Sequence, residues 1–249
     1  MKFILLTQIS LKSRFRAIFT SILLTVPPNF IDHLESLINC VTTDSLYNLD
    51  LANEIDLSIV AIAIGAYWHQ DLQEVRSRIL GLQSHSNADI QELVLAYAIA
   101  LACRDELNPR SFVSQICHDF RKRRALSHDH QSQQHCLDQL QLAQEFVDQG
   151  ASAITAHRSD RGLSDAIASS LYYFLSTPHN WSVISDRAQR SWLSNHQQIT
   201  VQSGAISAAY LGEIANPDQH NQEIFTKGKV IGDRLWAEWA GVFDAKLDN

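Results

Sequence analysis

The residues best suited to hold an ion are gathered between positions 117 and 136: Cys117-His118, His128, His130 and His135-Cys136. Thiolate and imidazole are zinc ligands, and four of them at tetrahedral reach would hold a structural ion. The spacing matches no standard finger or ribbon. Cys117 falls on an apolar helical stripe and Cys136 opens a helix, so the two are not expected to converge; the expectation is a solvated loop and no metal. Arg121-Lys122-Arg123-Arg124 has the charge to hold phosphate or RNA. It lacks an aromatic residue for base stacking and closes a helix, where cations complement the macrodipole, so a solvated helix end is expected. Trp236 and Trp239, three apart, read as core and rim of the last helix rather than as a sugar platform. The chain has no Gly-rich phosphate loop, no nucleophile elbow and no HExxH pair.

These residues must be positioned by helices. Nine glycines and five prolines in 249 residues are about half of average usage, roughly 12%, too few for the tight turns of sandwiches or barrels. With 45% hydrophobic and 19% charged residues, the chain is not a disordered one. A net charge of −7, from 20 Lys and Arg against 27 Asp and Glu, lacks the electrostatic footprint of a nucleic-acid or anionic-membrane binder. Cys40, Cys103, Cys117 and Cys136 form no CxxC and fall in apolar patterns, as small buried hydrophobes in a reducing compartment do. Met1-Lys2-Phe3-Ile4-Leu5-Leu6 looks briefly like a secretion signal, but Lys12, Arg14 and Arg16 follow too soon and no small-residue cleavage site does. Ala17 to Val26 is far too short to span a bilayer. A soluble, cytoplasmic, monomeric protein is expected.

Pro27-Pro28 ends a helix built on Ser10 to Leu24, and Asn29 caps a short one carrying Phe30, Leu34, Leu37 and Ile38. From Ile55 to Trp68 the chain is apolar almost throughout, and its alanines predict a helix buried all round. Leu72, Val75, Ile79 and Leu82 give the next helix one face. Ser86 with Asp89 forms a capping box before Ile90, Leu93, Val94, Tyr97 and Leu101. Asn108-Pro109 reads as a cap with proline at the first helical position, before Phe112, Ile116 and Phe120. Ser127 to Gln134 reads as a loop leading to Leu137, Leu140, Ala143 and Phe146. A helix capped by Ser164 carries Ile167, Leu171 and Phe174, and another opens near Trp181 with Ile184 and Ala188. Gln198 to Leu211, rich in small residues, is expected at the centre. Ile231, Leu235, Trp239, Val242 and Phe243 stripe the last helix. The prediction is one all-α domain of about ten helices.

The segment from Ser194 to Gly212, SNHQQITVQSGAISAAYLG, resembles the C-terminal signature of the ADP-ribosylglycohydrolase family, G-G-D-x-D-T-I-A-A-I-A-G-A-I-A-G-A-Y-x-G. Gly204-Ala205-Ile206, Ala209-Tyr210 and Gly212 carry the likeness. Asp165 to Leu175 looks like the helix before that signature, and Trp181 to Ala188 fits in length. Leu82 to His85 is similar to the family's T-H segment, Ala61 to Gly65 to its R-I-A-P-L-G run, and Ser13 to Arg16 to its opening R-x-x-G. The resemblance covers about 13–212, strongest over 164–212, with 213–249 left as a C-terminal helix. It implies one orthogonal α-helical domain.

In that family two metal ions, usually magnesium, sit between a T-D-D-T and a D-x-D-T motif, bind the ribose and activate water against the N-glycosidic bond to ADP-ribose. The positions here matching D-x-D-T are Asn195, His196, Gln197 and Gln198, so both carboxylates are amides and the threonine is glutamine. A hard cation wants charged oxygens, and no metal or cofactor is expected. The G-D-x-x-G loop has no counterpart in Ala17 to Leu24. Thr42-Thr43-Asp44-Ser45 faintly resembles T-D-D-T, with Asp44 the one carboxylate retained, and a turn with an Asp cap explains it as well. Three functions compete. One is a non-catalytic binding or regulatory protein that holds a protein partner or an ADP-ribose-like ligand. Another is an active hydrolase with an altered site recruiting His85, His196 or Asp44. The last is a helical scaffold. The count of carboxylates favours the first.

Overall fold

The computed structural model describes residues 9–27, 30–43, 45, 51, 53–82, 90–122, 130–158, 162–214 and 221–242. Regular structure among them is entirely α-helical. Helix α1 (Leu11–Thr25) is capped by Ser10, whose hydroxyl accepts the Ser13 N–H at 3.1 Å, and it stops before Pro27 as proline demands. Its face of Phe15, Ile18, Phe19 and Ile22 is fully buried. Helix α2 (Ile31–Thr42) buries Leu34, Leu37, Ile38 and Val41; it follows Phe30, and Asn29, the expected cap, lies outside the described residues.

Helix α3 (Glu54–Tyr67) is buried from Asp56 through Ala66, so the long apolar run is a helix with no solvent face. Asn53 caps it, its side chain accepting the Asp56 N–H at 2.9 Å. Helices α4 (Leu72–Leu82) and α5 (Ile90–Cys103) follow. A Cβ at Gly65 would lie 2.5 Å from the Ala96 carbonyl oxygen, so α3 and α5 touch backbone to backbone. The capping box at Ser86 and Asp89 lies outside the described residues.

Helix α6 (Phe112–Lys122) begins later than Asn108-Pro109 implied. The Asn108 side chain accepts from Arg110 N at 3.0 Å and its carbonyl from Ser111 and Phe112, so an Asx turn precedes the helix. Helix α7 (His130–Asp148) corrects the expected loop for His130 to Gln134, while Ser127 to Asp129 lie outside the described residues. Its first turns continue as helix because Gln133 is buried and its Nε2 donates to the Phe120 carbonyl at 3.1 Å, closing the end of α6. The short helix α8 (Ala153–Arg158) was not read from the sequence, having only Ala156 buried. Asp165, not Ser164, stands at the N-cap of α9 (Ala166–Ser176). Helix α10 (Trp181–Gln189) is capped by Asn180. Twelve helices are present among the described residues, against about ten expected.

Helix α11 (His196–Leu211) lies at the centre, with Gln198 through Ala209 all buried and α1, α3, α5, α9 and α10 packed around it. It ends at Gly212 with φ 66°, whose N–H donates to the Ala208 carbonyl at 2.8 Å, a left-handed cap that favours glycine. Trp181 Nε1 donates to Ser21 Oγ at 2.8 Å, tying α10 to α1 beside Gly204, whose Cβ would meet the same hydroxyl oxygen.

Helix α12 (Gln222–Ala240) rides on α1 through Gly228 and Gly232, which face the backbone of Thr20 and Arg16. The Arg16 guanidinium grips Asp233 with two bonds of 2.6 and 2.7 Å. Trp236 lies under Lys12 and Trp239 against His69, both half-buried, while Val242 is exposed and Phe243 lies outside the described residues. No helix among the described residues is long and apolar enough to cross a membrane.

Arg14 is the largest fully buried polar side chain. It donates to the carbonyls of Ala209 and Tyr210 at 2.6 and 2.9 Å and to Asp105 Oδ1 at 2.6 Å. It thereby occupies orphan carbonyls at the end of α11 and holds the turn after α5, where Asp105 has φ 61°.

Candidate functional site

The N-termini of α3, α9 and α11 open on one cleft of about 450 Å³, with Gln91 and Glu92 from the first turn of α5 on its wall. Asn53 and Glu54 arrive from α3, Ser164 and Asp165 from the entry to α9, and Asn195 and Gln198 from α11. A more open lobe of about 550 Å³ shares Glu54, Ser164 and Asn195 and adds His157 and Leu193. A cavity of about 620 Å³ lies elsewhere, between α1, α12 and Gly212, but its Arg16 is committed to Asp233.

Under the cleft runs a buried polar chain. The Ser58 hydroxyl donates to the Glu54 carbonyl at 2.8 Å. Its oxygen accepts from Gln198 Nε2 at 3.3 Å and from Gln202 Nε2 at 2.9 Å. Gln202 Oε1 lies 3.0 Å from Ser170 Oγ, whose hydroxyl also reaches the Ala166 carbonyl at 2.7 Å. This chain pins α11 between α3 and α9.

Of the positions singled out in the sequence, Asn195 and Gln198 come to the cleft, while Gln197 is half-buried and lines neither lobe. His196 is exposed on the first turn of α11. Asp44 and His85 lie outside the described residues. Thr42 and Thr43 direct their hydroxyls to the Asn39 carbonyl at the end of α2, and Thr43 also pairs with Ser45 at 2.7 Å. Those hydroxyls close a helix end, and none of the three residues lines either lobe.

Cys117 is buried with its thiol 3.7 Å from the Leu137 carbonyl, and burial pushes it up to about 11. Burial pushes Cys103 up to about 12, despite Arg14 nearby. Both thiols stay protonated and unreactive at neutral pH. His135 turns to Asp165 at 3.1 Å. No three His, Cys, Asp or Glu side chains among the described residues gather as an ion site. The two magnesium ions implied by the resemblance therefore do not fit the donors described: amides occupy the motif positions, and Glu54, Glu92 and Asp165 do not converge on a point.

These three carboxylates went unread in the sequence, as did His157. Each acid sits in or beside the first turn of a helix, and the signal was available: helix starts that carry acids and share an end of the bundle. His157 Nε2 lies 3.2 Å from the Tyr173 hydroxyl, and the Arg187 guanidinium stacks over the Tyr173 ring. Burial holds the His157 imidazole below its ordinary value and the Tyr173 phenol above. His69, buried between Phe15 and Trp239, is likewise lowered, by burial and then against its bond to the Ala66 carbonyl.

The two histidines give stability a pH dependence. Both carry fewer protons folded than unfolded, so the unfolded chain gains protons first as the pH falls through about 6.5. Stability is expected to hold above that value and to decline from there down to the lowered folded-state values. Melting temperatures from about pH 8 to about pH 5 check this, with a flatter profile expected for His69→Asn. A melting temperature that climbs on acidification across this window would contradict it.

Comparison of the chain with protein-family models, with curated proteins and with solved structures gives no match.

Proposed function

We propose that this chain is a non-catalytic binding protein on the ADP-ribosylglycohydrolase plan, its cleft at the helix N-termini holding a ligand without hydrolysing it. The supporting observation is the placement of Asn195 and Gln198. They stand where the resemblance aligns metal-binding residues, they line a cleft of about 450 Å³, and they bring amides to it. Gln198 is further engaged, its NH₂ held by Ser58. A glycosidic hydrolysis of the family's type needs a metal-activated water, and the described donors offer no shell for the ion. The cleft volume suits a small molecule or one inserted side chain of a partner protein. Its walls come from helix termini set by buried packing, so binding needs little rearrangement.

The test is a release assay on an ADP-ribosylated arginine substrate in excess magnesium, comparing the parent with Asn195→Asp/Gln197→Asp. The variant adds two carboxylates, but Gln197 lies off the cleft, and among the described residues no three acids gather as an ion site. No turnover is expected from either protein. Metal-dependent turnover in the variant would mean the other half of the site persists, with Thr42 to Ser45 the first place to look.

A further inference from the structure

We propose that the face around Trp192 docks an acidic segment of a partner protein, one that carries carboxylates beside an apolar side chain. This surface lies outside both lobes of the cleft, and its role is independent of what the cleft holds. Trp192, between α10 and α11, is 58% exposed, the most exposed of the large apolar side chains described. A ring of that size is ordinarily covered. The Arg158 guanidinium lies over it, 4.6 Å from the ring centroid. Ile154, 54% exposed, stands four residues before Arg158 and so on the same face of α8. Exposed tryptophan beside arginine is the composition of an interface anchor, and the stacking holds both side chains in place before a partner arrives.

Charge names the partner. The chain carries a net charge of −7, and Arg14, Arg16, Arg78 and Arg104 each hold a carboxylate of their own. Arg158 and Arg187 do not: among the described residues neither has a carboxylate partner, and both lie over aromatic rings. Tyr173 brings the two together. Its hydroxyl lies 3.2 Å from His157 Nε2, next to Arg158, and its ring lies under Arg187. Arg187 reaches Tyr172 Oη at 3.4 Å with one nitrogen, which leaves most of its five donors unspent. Arg190 stands two residues before Trp192. Its neighbour Asp186 is 4.0 Å away with both groups well exposed, a pairing worth little. The stretch 159–161 adds one aspartate and one arginine, and so no net charge. A basic spot on an acidic chain selects carboxylates, which an arginine fork receives in pairs. A nucleic acid would need a longer basic track, and the chain as a whole repels it.

Selection of short random peptides displayed on phage against the full chain tests this. The recovered peptides, labelled with a fluorophore, are titrated by anisotropy into the parent, Trp192→Ser, Trp192→Phe and Arg158→Glu. Trp192 and Arg158 are exposed, so all three variants are expected to keep the parent's melting temperature, measured alongside. The peptides are expected to be acidic with an apolar residue, and to bind Trp192→Ser and Arg158→Glu at least about tenfold more weakly. Trp192→Phe should recover most of the affinity, and added salt should weaken it. Neutral or basic peptides, equal binding to parent and variants, or no peptide recovered above the bare support would overturn the proposal. Peptides displaced by ADP-ribose would overturn it by placing them in the cleft. An oligouridylate bound through Trp192 would make the occupant a nucleic acid. A parent that light scattering shows dimeric, with Trp192→Ser monomeric, would make it a second copy of this chain; both results contradict an acidic partner.

Discussion

Arg14→Met is expected to destabilise the chain by about 3–5 kcal/mol, a large share of the 5–15 kcal/mol typical of a folded domain. The guanidinium is 1% exposed and makes three bonds of 2.9 Å or less to Ala209, Tyr210 and Asp105. Methionine fills much of the space but leaves the two carbonyls at the end of α11 buried without a donor. Asp105→Asn should cost less, about 1–2 kcal/mol. Asparagine tolerates the positive φ of 61° at that position and its oxygen still accepts, so only the charge is lost. Urea unfolding of the three proteins checks the order. A loss under about 1 kcal/mol for Arg14→Met would mean that water replaces the guanidinium and that α1 is not locked to α11.

The second large effect concerns the glycines at helix crossings. In an exposed helix, Gly→Ala gains up to about 1 kcal/mol from propensity. At Gly232 the added Cβ would sit 2.7 Å from Arg16 Cα, and at Gly65 it would sit 2.5 Å from the Ala96 oxygen. The obstructing atoms are backbone, so no rotamer change relieves them and the helices themselves must separate. Overpacking of this kind costs about 1–3 kcal/mol and sometimes more. The contact outweighs the propensity, and both Gly65→Ala and Gly232→Ala are expected to lower stability. Gly232→Ala should also loosen the Arg16–Asp233 fork, since the same shift pulls α12 from α1. Unfolding midpoints check the sign; a stabilised Gly232→Ala would show that α12 is not seated as described.

The helices were legible because burial leaves a period. Ile59 to Ile64 are fully buried and Gln198 to Ala209 form the central helix, both read from apolar or small-residue composition alone. Where the reading slipped, a local signal competed with a tertiary one. The polar start of α7 resembles a loop until Gln133 is seen closing α6, and Asn108-Pro109 mimics a cap that serves as a turn. The candidate site was half legible. Asn195 and Gln198 were found through a resemblance and do reach a cleft. Glu54, Glu92 and Asp165 were not found, because they come from three helices far apart in sequence, and only packing brings their N-terminal ends together.

The claim that these helix ends form a binding cleft is tested most directly by amide-resolved NMR of the full chain titrated with ADP-ribose. Saturable shifts are expected at the backbone amides of Glu54, Asp165 and Asn195 and at the side-chain NH₂ of Gln198, all around the cavity of about 450 Å³. Shifts confined to the groove between α1 and α12, or none at these positions at saturating concentration, would contradict it.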